Sequence, residues 1–368
     1  MNISIFTIFM TFLWSSLLII LFYILRKNFL FNGICTIKSI VLIYIFIAVR
    51  LIFPLEFKWT FVIRGGIIWN TLFDIYDYNL FTFKDIIITP GIVFIFLWMS
   101  IFLIKLFLII NNYSKTTQFF NSISKTEIEC SNLPSNIKVY STNHIKSPLS
   151  YGIINKIILF PQKHYDKKAF EYILEHELTH HRNNDIAVKL AINILCSFYW
   201  WNPFVYLLKK DIQDSLELRC DIKTTYNYSK EQKIEYLTTL LNEFKDESNI
   251  TKLAKTEYAM YYSTNYKNIY ERFELIVKYN HKSKKTSTFI VMIAYFLIIF
   301  LSYLFVIQSY FEDPILISND NEIYFDINDS YLYNDNNKYY LVTPYKTLTI
   351  SYEDYKLYIN AGFYEKNY

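Results

Sequence analysis

Long apolar runs, separated by shorter polar segments, dominate the pattern of the chain. Four of them are long enough to cross a bilayer as helices, at about residues 3–25, 39–55, 89–110 and 286–307. No Lys or Arg precedes the first run and no small-residue cleavage site follows it, so we expect an anchor rather than a removable signal peptide. The pattern therefore predicts an α-helical integral membrane protein with four transmembrane helices.

Basic residues at the ends of these runs predict their orientation. Arg26 and Lys27 follow the first run, and Lys282, Lys284 and Lys285 precede the fourth. Because cytoplasmic flanks carry an excess of Lys and Arg, both flanks are expected in the cytoplasm of a multi-pass protein of the cell membrane, with lipid as its surroundings. The predicted domains are three transmembrane helices in 1–112, a cytoplasmic domain in 113–285, a fourth transmembrane helix in 286–307 and a short extracellular tail in 308–368.

A fifth apolar run, Ile186 to Leu208, is interpreted differently. Asn202-Pro203 is typical of an N-cap followed by a proline in the first helical turn. This break divides the run into two pieces that are each too short to cross a bilayer. The prediction is a hairpin of two helices, buried or at the membrane surface. A true fifth span would instead place Glu217 on the opposite side of the membrane from His176.

The composition agrees with a membrane protein and excludes several other classes. Hydrophobic residues make up 53% of the 368 positions and charged residues only 19%. The net charge of +4 is small for this length, so no direct contact with nucleic acid is expected. The four cysteines have no paired spacing, which argues against a disulfide framework and against a cysteine zinc knuckle.

The strongest chemical signal is the pattern His-Glu-x-x-His at His176, Glu177 and His180. Residues four apart lie on one face of a helix, which places the two imidazoles side by side as ligands of one Zn²⁺. Glu177 can then reach a water at the open position of the metal and take its proton. The alternative interpretation is a polar patch on an ordinary surface helix.

A catalytic zinc site takes three protein ligands, so a third donor is needed. We select Glu217, which lies in the segment DSLELRCD. Asp221 lies one turn further on, where it can accept the free ring N–H of a ligand histidine. Asp214 is a weaker competitor for the metal, and the alternative for the whole segment is a solvated acidic helix face.

The segment before the motif is predicted to form two strands, Ile137–Ser141 and Lys156–Phe160, with Asp166 as the N-cap of the motif helix. An extended peptide can pair with the edge of such a strand. The candidate substrate-binding residues are therefore Ile157, Ile158 and Leu159.

The predicted tail is acidic and alternates in places, which predicts strands over Glu322–Ile327 and Thr347–Tyr352. We expect this small β-rich tail to sense by reversible contact with a cationic ligand, a partner protein or the membrane surface. The alternative is a passive cap on the last helix.

Together these landmarks resemble the BlaR/MecR-type membrane metallopeptidases over about residues 1–308. The matching segments are Arg50–Pro54 (RLIFP), Ser147–Pro148 leading to Ile158–Pro161 (ILFP), His176–Asp185 (HELTHHRNND), Trp201–Phe204 (WNPF) and Glu217–Asp221 (ELRCD). Two features depart from the family. Lys156 stands in the neighbourhood where the family's strand usually carries a proline, and a tail of about sixty residues replaces the large penicillin-binding sensor of the best-known members.

The resemblance implies a gluzincin-type α+β zinc metallopeptidase domain. It implies that His176, His180 and Glu217 bind zinc and that Glu177 is the general base. It also implies that Arg182 and Asp185 occupy positions that support the metal site. Since the tail has no Ser-x-x-Lys nucleophile, covalent capture of a β-lactam is not expected.

The function implied by the resemblance is a membrane-embedded zinc endopeptidase in signal transduction and antibiotic resistance regulation. Its substrate would be a DNA-binding repressor of the BlaI/MecI type, the protease itself, or both. Two other functions stay open: a non-catalytic membrane receptor of the same fold, and a CAAX-type or quality-control membrane protease. The oligomeric state also stays open, a homodimer included.

Overall fold

The computed structural model describes residues 5–31, 36–55, 57, 59–65, 67–84, 86–130, 133–248, 269–278, 285–308, 330–335, 338–343, 347–360 and 363–366. The helices in these ranges are α1 (Ile5–Phe31), α2 (Ile37–Ile52), α3 (Ile67–Asp77), α4 (Pro90–Ser122), α5 (Lys167–Arg182), α6 (Asp185–Phe198), α7 (Pro203–Thr224), α8 (Lys230–Ser248), α9 (Ile269–Lys278), α10 (Lys285–Leu301) and α11 (Tyr352–Asn360). The strands are β1 (Phe61–Arg64), β2 (Phe81–Phe83), β3 (Ile86–Ile88), β4 (Thr126–Glu127), β5 (Ile137–Thr142), β6 (Leu149–Tyr151), β7 (Lys156–Pro161), β8 (Phe305–Gln308), β9 (Tyr331–Asp335), β10 (Lys338–Val342), β11 (Thr347–Ile350) and β12 (Tyr364–Glu365).

The chain divides into two compact units. The first consists of Met1–Phe61 and Tyr76–Val306, and the second of Val62–Ile75 and Ile307–Tyr368. The segment between α2 and α4 contains α3 and the short strands β1, β2 and β3.

Four apolar helices lie at the positions of the predicted spans. Two are long and apolar enough to cross a membrane: Phe6–Arg26 in α1, and Pro90–Ser122, which is the whole of α4. Two shorter apolar stretches, Ser39–Ile52 in α2 and Thr286–Leu301 in α10, match the other two spans. Both α1 and α4 continue well beyond the predicted ends, at residues 25 and 110.

The fourth predicted span, 286–307, is too long. The helix α10 ends at Leu301, and β8 begins at Phe305. Arg50 of α2 lies at this helix end: its Nε donates to the Ser302 hydroxyl at 2.8 Å, and its Nη2 donates to the Ser302 carbonyl at 3.3 Å. A cation at a helix C-terminus stabilises carbonyls that the helix leaves without partners. Hydrophobicity continues to Ile307, but the helical backbone does not.

The predicted break at Asn202-Pro203 is confirmed. Asn202 caps α7 by accepting a hydrogen bond from the Phe204 backbone N–H at 2.9 Å, and Pro203 is the first residue of the helix. The resulting hairpin of α6 and α7 packs into one apolar cluster with α1, α2, α9 and α10, to which Leu18, Ile43 and Leu208 contribute fully buried side chains. The two helices therefore belong to the same core as α1, α2 and α10.

A four-stranded sheet precedes the motif helix, in the order β4-β5-β7-β6. The strand β7 pairs in parallel with β5 and antiparallel with β6, so Ile158 has Val139 on one side and Ser150 on the other. The prediction that Ile157, Ile158 and Leu159 offer a strand edge to a substrate is therefore wrong, because both edges of β7 already have partners. Periodicity could identify this strand but not its position in the sheet.

The motif helix α5 packs on this sheet. Ile173 and Leu178 join Ile158 and Phe160 in a second apolar cluster. Asp166 takes the N-cap position as predicted, but its side chain makes no capping hydrogen bond. With its apolar stripe on the sheet, α5 turns its two motif histidines into the protein interior, where both are buried.

In the second unit, a four-stranded sheet in the order β11-β10-β9-β12 packs against α11. The predicted strand Thr347–Tyr352 ends at Ile350, because α11 begins at Tyr352. Ser351 caps this helix by accepting the backbone N–H of Asp354 at 3.1 Å, a Ser-x-x-Asp signal that the alternation had obscured. The other predicted strand, Glu322–Ile327, lies outside the described residues.

Candidate metal centre

Three side chains from two helices converge in the interior of the first unit. His176 and His180 of α5 approach each other through their Nε2 atoms, which are 3.1 Å apart. The Oε2 atom of Glu217, on α7, lies 3.6 Å from Nε2 of His176 and 3.5 Å from Nε2 of His180. Asp214 is not part of this cluster among the described residues.

The three atoms fit a tetrahedral zinc ion. Zn–N and Zn–O distances of about 2.0–2.2 Å place neighbouring ligand atoms about 3.3–3.6 Å apart in a tetrahedral site. The three separations lie within about 0.3 Å of that spacing. Three ligands leave a fourth position, which is what a catalytic site requires.

Asp185, the first residue of α6, orients His180 from the far side of the ring. Its Oδ2 lies 2.8 Å from Nδ1 of His180, and its other oxygen forms an ion pair with Arg219. Burial by itself would raise the pKa of Asp185, but the hydrogen bond with His180 lowers it below the usual value. The carboxylate is therefore an acceptor, so in the unprotonated ring that can bind a metal the proton lies on Nδ1 and the Nε2 lone pair is directed at the cluster.

Cys220 completes this side of the site. Its thiol lies 3.2 Å from Nδ1 of His180 and donates to Oδ2 of Asp185 at 3.2 Å. Burial raises the pKa of Cys220 to about 12, so the group remains a thiol and acts as a donor.

His176 is oriented by a different set of groups. Its Nδ1 lies 2.8 Å from the hydroxyl of Tyr236, on α8, and 3.3 Å from Oδ1 of Asp221. The Tyr236 hydroxyl donates to Asp221 at 2.6 Å, so it is free to accept the ring N–H of His176. The Nε2 lone pair of His176 is thereby also directed at the cluster.

Glu217 and Asp221 are each paired with a cation from another helix. Glu217 accepts a hydrogen bond from Lys189 of α6 through Oε1 at 3.2 Å, which leaves Oε2 facing the histidines. Asp221 forms a bidentate pair with Arg272 of α9. Burial opposes ionisation of Glu217, but the charges of His180 and Lys189 hold its pKa well below the usual value. The site is therefore preorganised with ionised carboxylates.

Glu177 follows His176 on α5 and is half-buried. Its carboxylate makes no hydrogen bond or ion pair with the part of the chain that the structure describes. The Glu177 carboxylate is therefore not held by another described side chain.

The structure separates the other predicted site residues from the cluster. Arg182 forms an ion pair with Glu175, and about half of its side chain is exposed. Arg219 is the arginine that contacts Asp185. Ile158 and Leu159 are fully buried in the sheet, and the Ile157 carbonyl lies 3.1 Å from Nε2 of His181.

Sequence reasoning did not find five residues that support the site, namely Lys189, Arg219, Cys220, Tyr236 and Arg272. Tyr236 is one of 34 tyrosines and carries no local signal. Arg272 does carry one, because it lies three residues before Leu275 on an amphipathic helix and shares its apolar face. A charged residue on the buried face of a helix needs a partner.

The comparisons with known proteins agree with this geometry. The family model described as BlaR1 peptidase M56 matches residues 84–276, just over half of the 368 residues. The chain belongs to this family. The matched region contains the cluster and all of its supporting side chains, so the resemblance to BlaR/MecR-type peptidases is confirmed.

Individual BlaR1 peptidase M56 relatives are distant. Regulatory protein BlaR1 of Bacillus licheniformis is 26% identical over 141 residues, 38% of this chain and 23% of that protein. Methicillin resistance mecR1 protein of Staphylococcus aureus is 25% identical over 148 residues, 39% of this chain and 25% of that protein. Regulatory protein BlaR1 of Staphylococcus aureus is 25% identical over 176 residues, 46% of this chain and 30% of that protein. The chain thus spans less than a third of the length of each of these relatives.

Proposed function

We propose that this protein is a membrane zinc endopeptidase that acts in signal transduction. The observation that carries the proposal is the buried cluster of His176, His180 and Glu217, with ligand atoms at tetrahedral spacing and each imidazole oriented by an acceptor behind it. Membership of the BlaR1 peptidase M56 family supports the same chemistry.

The cluster and the family membership support the following roles. His176, His180 and Glu217 would hold the ion, which supplies a Lewis acid that activates water for attack on a peptide carbonyl. Glu177 accepts the proton of the attacking water and delivers it to the leaving amine. Lys189 keeps the Oε1 atom of Glu217 engaged, which would leave Oε2 to hold the ion.

The proposed topology has four membrane-spanning helices, α1, α2, α4 and α10, with the metal centre in the cytoplasm and the tail outside. The apolar composition of all four helices supports it. So do the basic residues in the last part of α1 and at the start of α10, because Lys and Arg at the ends of membrane spans are found mainly on the cytoplasmic side.

The proposed substrate is a protein. The relatives named BlaR1 and mecR1 are a regulatory protein and a methicillin resistance protein, which supports a transcriptional repressor of the BlaI/MecI type, the protease itself, or both as the target in β-lactam resistance signalling. Because β7 has partners on both sides, we assign pairing with an extended substrate to β6, which is an outer strand of the described sheet and lies next to α5.

The experiment compares cells that produce wild type, Glu177→Gln or Glu175→Gln, and measures which proteins lose a cleavage product. Glu175 is a matched control, because it lies on the same helix but forms an exposed pair with Arg182. Loss of a general base should slow cleavage at least about 100-fold in Glu177→Gln, with zinc still bound, and leave Glu175→Gln active. Equal amounts of product in all three would refute the proposal and favour a receptor that signals without cleavage.

A further inference from the structure

Arg272 is a buried cation that reaches the metal centre from a helix far along the chain. Only 6% of its surface is exposed. Its Nε donates to Oδ2 of Asp221 at 2.5 Å, and its Nη2 donates to Oδ1 at 2.8 Å. This two-point contact fixes the plane of the carboxylate, which a single hydrogen bond cannot do.

The orientation of Asp221 matters because of what its Oδ1 atom contacts. This oxygen accepts the Tyr236 hydroxyl at 2.6 Å and lies 3.3 Å from Nδ1 of His176. Arg272, Asp221, Tyr236 and His176 therefore form one continuous chain of polar contacts that ends at a predicted metal ligand. Arg272 also lies near the third ligand, with its Nη1 3.9 Å from Oε2 of Glu217.

The helix that carries Arg272 belongs to two cores at once. Leu275 packs in the cluster that contains side chains of α1, α2 and α10. Ile276 packs beside Tyr236 in a separate cluster with α5 and α8. After α9, only residues 279–284 precede α10. The position of Arg272 is thus set by the same packing that holds the apolar helices.

An ordinary structural ion pair between Arg272 and Asp221 is the simpler explanation, but stability alone gives little reason for an arginine at this position. A buried ion pair contributes little net stability compared with apolar side chains of similar size. An apolar residue at position 272 could fill the same space. It could not hold the Asp221 carboxylate in the orientation that brings Oδ1 to Tyr236 and His176. The feature that requires arginine is the orientation of the carboxylate.

We propose that Arg272 is a positioning residue of the metal centre, which fixes the ring of His176 through Asp221 and ties the site to the helix α9. This inference rests on the proposed zinc function. It predicts that Arg272 affects how tightly zinc is held, independently of whether a protein substrate is cleaved.

The test uses the full-length protein in detergent, loaded with zinc, and measures the zinc dissociation constant by competition with a chelator. Changes to groups that orient a ligand histidine typically weaken metal binding by about 10–100-fold. We expect a loss of this size in Arg272→Lys, which keeps the charge but lacks the two-point geometry, and in Arg272→Met. Lys168→Met is the matched control, because it removes an exposed ion pair with Glu235 at 3.2 Å between α5 and α8; its zinc affinity should equal that of wild type.

A double-mutant cycle tests the route. In the Asp221→Asn background, Arg272→Lys should have little further effect on zinc affinity, since the two residues act in series. If the losses of zinc affinity in the two single variants add up in the double variant, the route through Asp221 is overturned. If Arg272→Lys binds zinc as tightly as wild type, the whole inference is overturned, even if Arg272→Met does not fold. Zinc binding by wild type without any cleavage would refute the proposed function alone, whereas wild type that binds no zinc would refute both.

Discussion

Asp185→Ala is expected to weaken both the fold and the metal centre. The carboxylate is 1% exposed and contacts Nδ1 of His180 at 2.8 Å, the thiol of Cys220 at 3.2 Å and the guanidinium of Arg219. Removing one partner of a buried ion pair costs about 3–5 kcal/mol. Because the Arg219 side chain is 13% exposed and can gain water, we take the lower end, about 3 kcal/mol.

The same substitution leaves Nδ1 of His180 without its acceptor, so the ring is no longer held in the orientation that directs Nε2 at the cluster. Zinc affinity should fall about 10–100-fold, which corresponds to about 1.4–2.7 kcal/mol. Asp185→Asn keeps the shape and one acceptor oxygen, so its losses should be smaller than those of the alanine variant.

The assay combines thermal unfolding of the zinc-free protein in detergent with zinc titration against a chelator. Asp166→Ala is the control, because Asp166 occupies a helix N-cap position without a capping hydrogen bond. Asp166→Ala should lower the free energy of unfolding by less than about 1 kcal/mol, because it removes only a favourable interaction with the helix dipole. If Asp185→Ala loses no more stability than Asp166→Ala and binds zinc as tightly as wild type, the assignment of Asp185 to His180 is refuted.

Three further predictions concern the metal and the topology. Purified protein should hold about one zinc per chain, and His180→Ala should abolish stoichiometric binding; full occupancy in that variant would contradict the site. Zinc affinity should fall as the pH drops from about 8 to 6, because the metal binds unprotonated rings and the pKa of His180 lies well above its usual value: burial by itself would lower this pKa, but the charge of Glu217 and the hydrogen bond with Asp185 raise it more. A zinc affinity that stays constant between about pH 8 and 6 would contradict a site in which two histidine rings bind the metal. Cysteine introduced as Tyr364→Cys, at an exposed position of the tail, should react with a membrane-impermeant reagent in intact cells; reaction only after permeabilisation would contradict an outer tail.

Short stretches of sequence were sufficient to predict several features of this protein. The spacing of His176 and His180 brings their rings together on any helix, whatever the helix packs against. Asn202-Pro203 starts α7 through the chemistry of the N-cap and of a proline in the first helical turn. The apolar runs identified α1, α2, α4 and α10, because a long run of mainly apolar residues favours a helix in an apolar environment.

Only the tertiary structure decided which distant groups meet these local elements. Glu217 and Asp214 lie on the same helix, and the way α7 packs against α5 brings Glu217 to the histidines. The sequence cannot show that β7 lies between two strands, since its apolar pattern is the same at an edge and in the centre. Arg272 reaches Asp221 across 51 positions of the chain. Contacts at such separations depend on how whole helices pack, a property that no short window of sequence contains.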